Sequence, residues 1–258
     1  MKHVGISTRS LLRGVCLWFA FLPSAGPAQT ISLVKDLRTA PNPYYVSPSN
    51  NMTAVGSRVF FSAASPGAGN ELWVSDGTTA GTHVVKDIRP GAESSGVFGL
   101  TTVGSTVFFQ ADDGTNGVEL WKSDGTEAGT VLVKDAEVGP GSSWPNYLTT
   151  NGSILFYSYG GPAQELWRSD GTEAGTYELT DIPPEWHNSQ PRNLAWVGGA
   201  LYFSASDPWI GQELWKSDGT ALGTVLVKDI HPGDQWSSPR SLTEAGGIVY
   251  FVANDGVS

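Results

Sequence analysis

The chain has 258 residues, which is long enough to bury a substantial hydrophobic core in one or two domains. Hydrophobic residues make up 40% of it and charged residues only 16%, a balance that excludes an intrinsically disordered chain. Because 32 glycines and 16 prolines interrupt the backbone too often for long helices, an all-β fold is predicted. The formal net charge is −10 with no basic stripe, which disfavours binding to nucleic acid or to an anionic membrane surface.

Residues 1–28 have the order of features typical of a secretory signal peptide. Three basic residues precede a nine-residue apolar run at 14–22, which is too short to span a bilayer at about 20 residues. Small residues and prolines follow at 23–28 and suit cleavage after Ala25 or Ala28. We therefore predict a protein exported to the cell surface or the medium, with no membrane span after cleavage.

The only cysteine, Cys16, lies inside that apolar run. After cleavage the chain would contain no thiol, which excludes disulfides, a cysteine nucleophile and a cysteine-rich zinc site. Neither a metal nor any other cofactor is predicted.

Four segments of the chain align with one another without gaps, and each begins with Glu-Leu-Trp. The copies are ELWVSDGTTAGTHVVKDI at 71–88, ELWKSDGTEAGTVLVKDA at 119–136, ELWRSDGTEAGTYELTDI at 165–182 and ELWKSDGTALGTVLVKDI at 213–230. Their tryptophans, spaced 48, 46 and 48 residues apart, are Trp73, Trp121, Trp167 and Trp215. Between the copies a second pattern recurs, as in LTTVGSTVFFQADD at 100–113 and LTEAGGIVYFVAND at 242–255.

Each repeat of about 48 residues reads as four short strands, a to d, separated by Gly, Asp, Asn and Ser. Four antiparallel strands in 40–50 residues is the size of a β-propeller blade. Over residues 31–258 we predict a β-propeller of four complete four-stranded blades, plus a partial blade built from both termini. The repeats are expected to end near residues 36, 87, 135, 181 and 229.

The hairpin between strands c and d can be put in register, with its turn centred on Thr78 and Thr79. In the third copy Thr180 replaces the lysine that this register places opposite Glu165. The repeated tryptophans are predicted to lie in the core, because one occupies the same strand position in every copy. The cross-strand pairs predicted for the first copy are Trp73–Val84, Glu71–Lys86 and Ser75–Thr82.

One aspartate recurs in every c–d turn, where its side chain is expected to cap the turn. One carboxylate per turn supplies too few oxygens for a calcium site. Asp112 and Asp113 suggest a calcium loop only weakly, since the corresponding loops of other copies lack the acids. The turn aspartates are Asp76, Asp124, Asp170 and Asp218.

These motifs identify a family resemblance. The chain resembles the ELWxxDGT-repeat proteins, which are secreted or surface proteins of bacteria, over nearly everything from Ile31 to Ser258. The resemblance implies propeller-like repeats and export, and implies no particular activity. The turn SDGTxxGT is also similar to the aspartate-box hairpins of sialidases and other propellers, which implies a turn type only.

The given sequence begins and ends in the middle of a repeat. Residues 32–36 match strand d, and residues 241–255 match strands a and b. This frame predicts a fragment of a larger propeller. The alternative is a five-bladed propeller with one incomplete blade.

The b–c and d–a loops are predicted to share one face of the propeller. The d–a loop keeps a constant length while its residues change, which is typical of a scaffold that carries a variable surface. Exposed aromatic residues favour recognition of protein or sugar faces, although each could instead cover the end of its own blade. The predicted binding residues on this face are Tyr44, Tyr45, Trp144, Tyr147, Trp186, Trp209 and Trp236.

No catalytic residues are predicted. Beyond the signal region, His83, His187 and His231 accompany no repeated serine–acid arrangement. The sequence therefore favours a secreted, non-enzymatic scaffold that binds a protein or a glycan. One alternative is a secreted hydrolase or lyase acting on polysaccharide, whose carboxylates would come from distant blades, and another is a purely structural spacer.

Overall fold

The computed structural model describes Val34 and residues 51–65, 67–161, 164–180, 182 and 188–257. The predicted signal peptide, three of the predicted binding residues (Tyr44, Tyr45 and Trp186) and His187 lie outside the described residues. Every regular element that the structure describes is a β-strand. Within the described residues, no helix is long and apolar enough to cross a membrane.

The strands follow one another in five repeats, numbered here in chain order. Repeat 1 contains β1 (Met52–Val55), β2 (Arg58–Ser65), β3 (Gly69–Ser75) and β4 (His83–Lys86). Repeat 2 contains β5 (Phe98–Val103), β6 (Thr106–Asp112), β7 (Val118–Ser123) and β8 (Val131–Lys134). Repeat 3 contains β9 (Asn146–Thr150), β10 (Leu155–Ser158), β11 (Leu166–Ser169) and β12 (Tyr177–Thr180). Repeat 4 contains β13 (Arg192–Val197), β14 (Ala200–Asp207), β15 (Gly211–Ser217) and β16 (Val225–Lys228), and repeat 5 contains β17 (Arg240–Ala245) and β18 (Ile248–Val252).

Repeats 1 to 4 are antiparallel four-stranded sheets in sequence order, and repeat 5 is a two-stranded sheet. The first strands of successive repeats contact one another along the series β1, β5, β9, β13 and β17. The sheets therefore meet along their first strands, a propeller-like arrangement. The structure confirms the all-β class and the four-stranded repeat, whereas closure of the repeats into a ring stays a prediction.

The hydrophobic core lies between neighbouring sheets. One cluster joins Phe60 and Leu72 of repeat 1 to Phe109 and Trp121 of repeat 2, and another joins Phe156 of repeat 3 to residues of repeat 4. Full burial of one such side chain stabilises a fold by about 1.5–3 kcal/mol. Because no sheet buries both of its faces alone, each repeat depends on its neighbours for stability.

The repeated tryptophans pack in the core, as predicted. Trp73 is buried against Phe61 and Ala63 of its own repeat, and Trp121 is buried in the cluster between repeats 1 and 2. Trp167 and Trp215 are partly buried against the clusters between repeats 2 and 3 and between repeats 3 and 4. The Trp73 Nε1–H donates a 2.9 Å hydrogen bond to the Ala63 carbonyl.

The register of the c–d hairpin is partly as predicted. Trp73 pairs with Val84, and the hydroxyl groups of Ser75 and Thr82 are hydrogen-bonded at 2.7 Å. The Glu71–Lys86 pair is wrong, because a bulge shifts the register and places Leu72 opposite Lys86. The bulge leaves Val85 as the extra residue, and Val85 is buried in the core. The same shift occurs in the other three repeats, so that the predicted opposition of Thr180 and Glu165 is also wrong: the observed pairs are Leu120–Lys134, Leu166–Thr180 and Leu214–Lys228.

The turn aspartates cap their turns as predicted. Asp76 Oδ1 accepts hydrogen bonds from the Thr78 N–H at 2.9 Å and from the Thr78 hydroxyl at 2.7 Å. The other three turns repeat both bonds. The hydroxyl bond and then the backbone bond lower the pKa of all four carboxyl groups: Asp76, Asp124, Asp170 and Asp218.

In repeats 1 and 2, the lysine at the end of strand d contacts the repeat that follows. Lys86 Nζ donates to the Thr130 carbonyl at 2.9 Å and lies 5.8 Å from the ring centroid of Trp121. Lys134 makes the same two contacts with Thr176 and Trp167. These contacts combine a hydrogen bond from a charged donor with a cation–π interaction, and they tie repeat 1 to repeat 2 and repeat 2 to repeat 3.

Candidate functional site

The b–c and d–a loops meet at one end of the sheets, as predicted, and form the surface called here the loop face. Ser95, in the d–a loop between repeats 1 and 2, donates its N–H to the Asn70 carbonyl of repeat 1. Its carbonyl accepts the Asp112 N–H of repeat 2. Each d–a loop is thus fixed to the two repeats that it connects.

A fully buried glutamate supports each of these loops. Glu119, the first residue of its Glu-Leu-Trp motif, is 0% exposed. Its carboxylate accepts backbone N–H groups of Ala136, Glu137 and Ser143, and it also accepts the Ser143 hydroxyl. One side chain therefore holds both the beginning and the end of the d–a loop.

The same arrangement recurs at a constant separation of 24 residues between the glutamate and the serine. The distances from glutamate Oε1 to serine N are 3.1, 3.0, 2.7 and 3.1 Å for Glu71–Ser95, Glu119–Ser143, Glu165–Ser189 and Glu213–Ser237. Burial raises the pKa of the Glu71 and Glu119 carboxyl groups, and the hydrogen bonds from serine and backbone partly offset that effect. This role replaces the cross-strand pairing with lysine that the sequence suggested.

The predicted aromatic residues that the structure describes are exposed on the loop face. The exposed fractions are 48% for Trp144, 48% for Tyr147, 59% for Trp209 and 56% for Trp236. Phe98, which is 56% exposed at the start of β5, was not singled out from the sequence. The sequence did offer a signal, because Phe98 lies in the d–a segment between Asp87 and Leu100 whose residues vary from repeat to repeat.

Trp144 and Tyr147 have left-handed backbone conformations, with φ of 45° and 55°. The equivalent positions between repeats 1 and 2 are the glycines Gly96 and Gly99, at φ of 66° and 72°. A bulky residue in this region costs about 1–3 kcal/mol, whereas glycine adopts it freely. Two large aromatic side chains thus occupy positions where the backbone favours glycine. Equivalent positions elsewhere have positive φ at Gln190, Asn193, Ser238 and Ser241.

Among the described residues, the two exposed tryptophans of the d–a loops each approach a glycine, which is Gly160 in the b–c loop of repeat 3 for Trp144 and Gly211 at the start of β15 for Trp236. A Cβ atom on Gly160 would lie 2.8 Å from the Trp144 Cβ, and one on Gly211 would lie 2.8 Å from the Trp236 Cδ1. Trp144 therefore covers part of its own repeat 3, as the alternative interpretation supposed, whereas Trp236 covers part of the preceding repeat 4. About half of each side chain remains exposed.

The acidic b–c loop of repeat 2 is engaged within the protein. Asp112 forms an ion pair with Arg89, and Asp113 accepts hydrogen bonds from Thr115 and from both the backbone and the side chain of Asn116. Among the described residues, no group of three or more His, Cys, Asp and Glu side chains could hold a metal ion.

A cavity of about 310 Å³ lies at the opposite end of the sheets, between repeats 2 and 3. It is lined by turn residues that include Ser105, Ser153 and Asp170. Lys122, on its wall, donates a 2.7 Å hydrogen bond to the Gly171 carbonyl. Its lining belongs to the repeated c–d and a–b turns, so the variable residues lie elsewhere.

No protein-family model and no curated protein matches the chain. Among solved structures, it is similar to the computationally designed Ika8 protein, with 16% identity and a TM-score of 0.47 over 80% of this chain and 55% of that one. It is also similar to a puromycin hydrolase S511A mutant complexed with PGG, with 16% identity and a TM-score of 0.47 over 79% of this chain and 35% of that one. For putative TolB from Agrobacterium tumefaciens the values are 13% and 0.41, over 69% of this chain and 64% of that one. The chain spans from about a third to just under two thirds of these proteins, and the similarities concern the fold alone.

Proposed function

We propose that this chain is an exported, non-enzymatic binding module on a β-propeller scaffold, and that its loop face binds a protein or a glycan. The proposal includes cleavage of residues 1–28, membership of the ELWxxDGT-repeat family and closure of the repeats into a propeller. It places Tyr44, Tyr45 and Trp186 on the same face as the four exposed aromatic residues described above.

The main support for the proposal is the backbone conformation of two exposed residues. Trp144 and Tyr147 are about half exposed, and both have left-handed φ angles. Stability alone would favour glycine at both positions, as between repeats 1 and 2. Strained backbone that presents a side chain to solvent is common at binding sites, where recognition compensates for the cost in stability.

The surrounding chemistry supports a protein or a glycan rather than an acidic polymer. Tryptophan and tyrosine supply large, rigid contact surfaces with a polar group at one end, which suits sugar rings and protein surfaces. The net charge of −10 disfavours nucleic acid and strongly anionic polysaccharides.

No observation on the described residues favours the alternative of a polysaccharide-acting hydrolase or lyase. Such an enzyme needs an acid and a second carboxylate about 5–9.5 Å apart and accessible to substrate. The four glutamates of the Glu-Leu-Trp motifs are 0% exposed and hold loops, and Asp112 and Asp113 are engaged by their neighbours.

The test separates binding from folding by placing glycine at positions 144 and 147, where the backbone is left-handed. We expect the Trp144→Gly and Tyr147→Gly variants to keep a free energy of unfolding within about 1 kcal/mol of the wild type, because relief of backbone strain offsets lost packing. Binding to ligands found by glycan array and by pull-down with culture-surface proteins is expected to fall at least tenfold.

Leu222→Gly is the matched control, because Leu222 is 96% exposed in the c–d turn at the opposite end of repeat 4. It should leave binding unchanged. Ligands that bind the Trp144→Gly, Tyr147→Gly and Trp236→Ala variants as tightly as the wild type would contradict the proposal, and so would a chain that binds nothing in either screen.

A further inference from the structure

The cavity between repeats 2 and 3 has a polar rim and an aromatic base. Asp170, Ser105 and Ser153 line it and are exposed, whereas Phe108, which also lines it, is only 4% exposed. Its volume of about 310 Å³ lies at the lower end of the range of pockets that hold small molecules, about 300–1,000 Å³. The cavity is therefore accessible from solvent and large enough for one small ring.

The equivalent space between repeats 1 and 2 is occupied by a side chain of the protein itself. Arg58 stands where repeat 2 has Thr106, and its guanidinium group lies 5.4 Å from the ring centroid of Phe60. A Cβ atom on Gly125 would collide with this guanidinium group, whereas the nearest atom to a Cβ on the equivalent Gly171 is an aromatic carbon at 3.0 Å. The space between repeats 2 and 3 is open because the threonine side chain is too short to fill it.

The strand residues of this cavity also differ from those between repeats 3 and 4. There Ile154 and Arg168 replace Thr106 and Lys122, and Arg168 donates to the Gly219 carbonyl at 3.4 Å. Among the interfaces between the five described repeats, the threonine and the lysine occur together only between repeats 2 and 3. This interface therefore combines open space with an ammonium group and a hydroxyl group.

The walls of the cavity offer both donors and acceptors. Lys122 Nζ uses one N–H group for the Gly171 carbonyl at 2.7 Å, so its other N–H groups can donate to a ligand. The bonds from Asp170 to Thr172 use Oδ1, which leaves Oδ2 as an acceptor. Side-chain hydroxyl groups, each able to donate and to accept, are supplied by Ser105, Thr106 and Ser153.

This set of groups favours a neutral ligand that carries several hydroxyl groups. Lys122 and Asp170 balance each other in charge, and the net charge of −10 disfavours anions. A sugar hydroxyl accepts from an ammonium group and donates to a carboxylate at the same time. The C–H groups of a pyranose ring also suit an aromatic side chain, which Phe108 provides.

We propose that the cavity between repeats 2 and 3 binds a single neutral hexose unit. Neighbouring hydroxyl groups of the sugar bond to Lys122 and Asp170, and its C–H face lies toward Phe108. Ser105 and Ser153 contact the sugar from the two repeats that form the cavity. The site lies at the end of the sheets opposite the loop face, and the proposal does not rest on the ligand proposed there.

The first experiment titrates the full chain with three neutral probes, the methyl α-glycosides of glucose, galactose and mannose, and follows the backbone amides by NMR. We expect at least one glycoside to bind saturably and to shift the amides of Gly104, Gly152 and Gly171. Absence of saturable binding would overturn the proposal, and so would binding of inorganic phosphate or of the amino acid glycine in place of every glycoside. Shifts confined to the loop face would support a sugar site there and overturn this one.

A single substitution tests the carboxylate. We expect Asp170→Asn to weaken glycoside binding at least tenfold, because it removes the charged acceptor while its amide oxygen still caps the turn. Asp124→Asn is the matched control, because it makes the same change in the turn that Arg58 contacts, and it should leave binding unchanged. Equal effects of the two substitutions would contradict the role of Asp170.

An exchange of residues between repeats 1 and 2 tests the site in both directions. Thr106→Arg with Lys122→Val copies the filled interface, so this variant should fold and lose glycoside binding. Arg58→Thr with Val74→Lys copies the open interface and should create a second site, seen as a glycoside-dependent shift of the Gly125 amide. Circular dichroism checks the fold of both. A folded first variant that binds like the wild type, or a folded second variant without the new shift, would refute the assignment.

Discussion

At the scale of single residues, the buried glutamate of the Glu-Leu-Trp motif explains why the motif begins with an acid. A fully buried carboxylate is costly unless every lone pair finds a donor. Glu119 meets this requirement with three backbone N–H groups and one hydroxyl group. These hydrogen bonds offset the cost of burying the carboxylate and fix the d–a loop in place.

Removal of this anchor should destabilise the fold strongly. We expect Glu119→Ala to lower the free energy of unfolding by about 3 kcal/mol, because buried N–H groups of the loop lose their acceptor. Glu127→Ala, at an exposed site in the adjacent turn, should change it by less than about 0.5 kcal/mol. Urea unfolding curves measure both values, and equal effects of the two substitutions would contradict the role assigned to Glu119.

The raised pKa of Glu71 and Glu119 gives the stability a particular pH dependence. A carboxyl group whose pKa is higher in the folded state than the unfolded value of 4.5 holds its proton more tightly when folded. Its contribution to stability is therefore fully present below pH 4.5 and is lost as the pH rises through the raised pKa. We expect the stability of the wild type relative to Glu119→Gln, which does not titrate, to decrease over this interval. Unfolding in urea at several pH values measures the difference, and a difference that grows with pH would show that the hydrogen bonds outweigh burial.

At the scale of the element, the hairpin shows what sequence patterns can and cannot predict. The repeats, the strands and the Trp73–Val84 pair followed from periodicity and turn residues, because these signals are local. The bulge did not, because its cause is the burial of Val85 against a neighbouring sheet. The glutamate role was missed for the same reason, although its signal, a serine 24 residues after each motif glutamate, is present in all four copies.

Repeat 1 uses a different residue for one of the hydrogen bonds that join a sheet to the turn of the next repeat. Lys122 and Arg168 donate from strand c to the Gly171 and Gly219 carbonyls of the next turn. Repeat 1 has Val74 at this position, and Arg58, on the neighbouring strand β2, donates instead to the Asp124 carbonyl at 3.0 Å. The contact with the next turn is preserved although the residue that makes it has changed strand.

This compensation can be tested with a double-mutant cycle. We expect Arg58→Ala to lower the free energy of unfolding by about 1 kcal/mol, since it removes a charged hydrogen bond near the surface. Arg58→Ala combined with Val74→Lys should recover at least half of the loss, because lysine reaches the same turn from strand c. Val74→Lys alone should destabilise the fold, because Val74 is buried in the core and the new charge would lie beside Arg58. Additive effects in thermal or urea unfolding would contradict the compensation.

At the scale of the whole molecule, stability should vary along the chain. Each sheet is stabilised by the core that it shares with its neighbours, so the coupling is between nearest repeats. Repeats 2 and 3 bury their second strands completely or nearly so, whereas β18 is largely exposed.

Hydrogen exchange should reveal this gradient. We expect the backbone amides of β17 and β18 to exchange at least tenfold faster than those of β6 and β7, because they open with the loss of less buried surface. Exchange followed by mass spectrometry on peptic fragments measures the two regions in one experiment. Uniform protection across the five repeats would indicate a single cooperative unit and contradict coupling limited to neighbours.

The loop face could be predicted only in part from the sequence. The alignment of four copies showed which loops vary, and aromatic residues such as Trp144 stood out in them. The left-handed backbone beneath Trp144 and Tyr147 was missed, although Gly96 and Gly99 stand at the aligned positions between repeats 1 and 2.

The clamp formed by each motif glutamate has an evolutionary consequence. Because both ends of a d–a loop return to one carboxylate, an insertion or deletion in the loop would detach its serine, whereas a substitution between the anchors leaves the frame intact. New surface chemistry can therefore arise by exchange of residues alone, at a fixed number of positions. The residues between the anchors can therefore change without a change in the architecture that holds them, much as hypervariable segments change on a constant antibody framework.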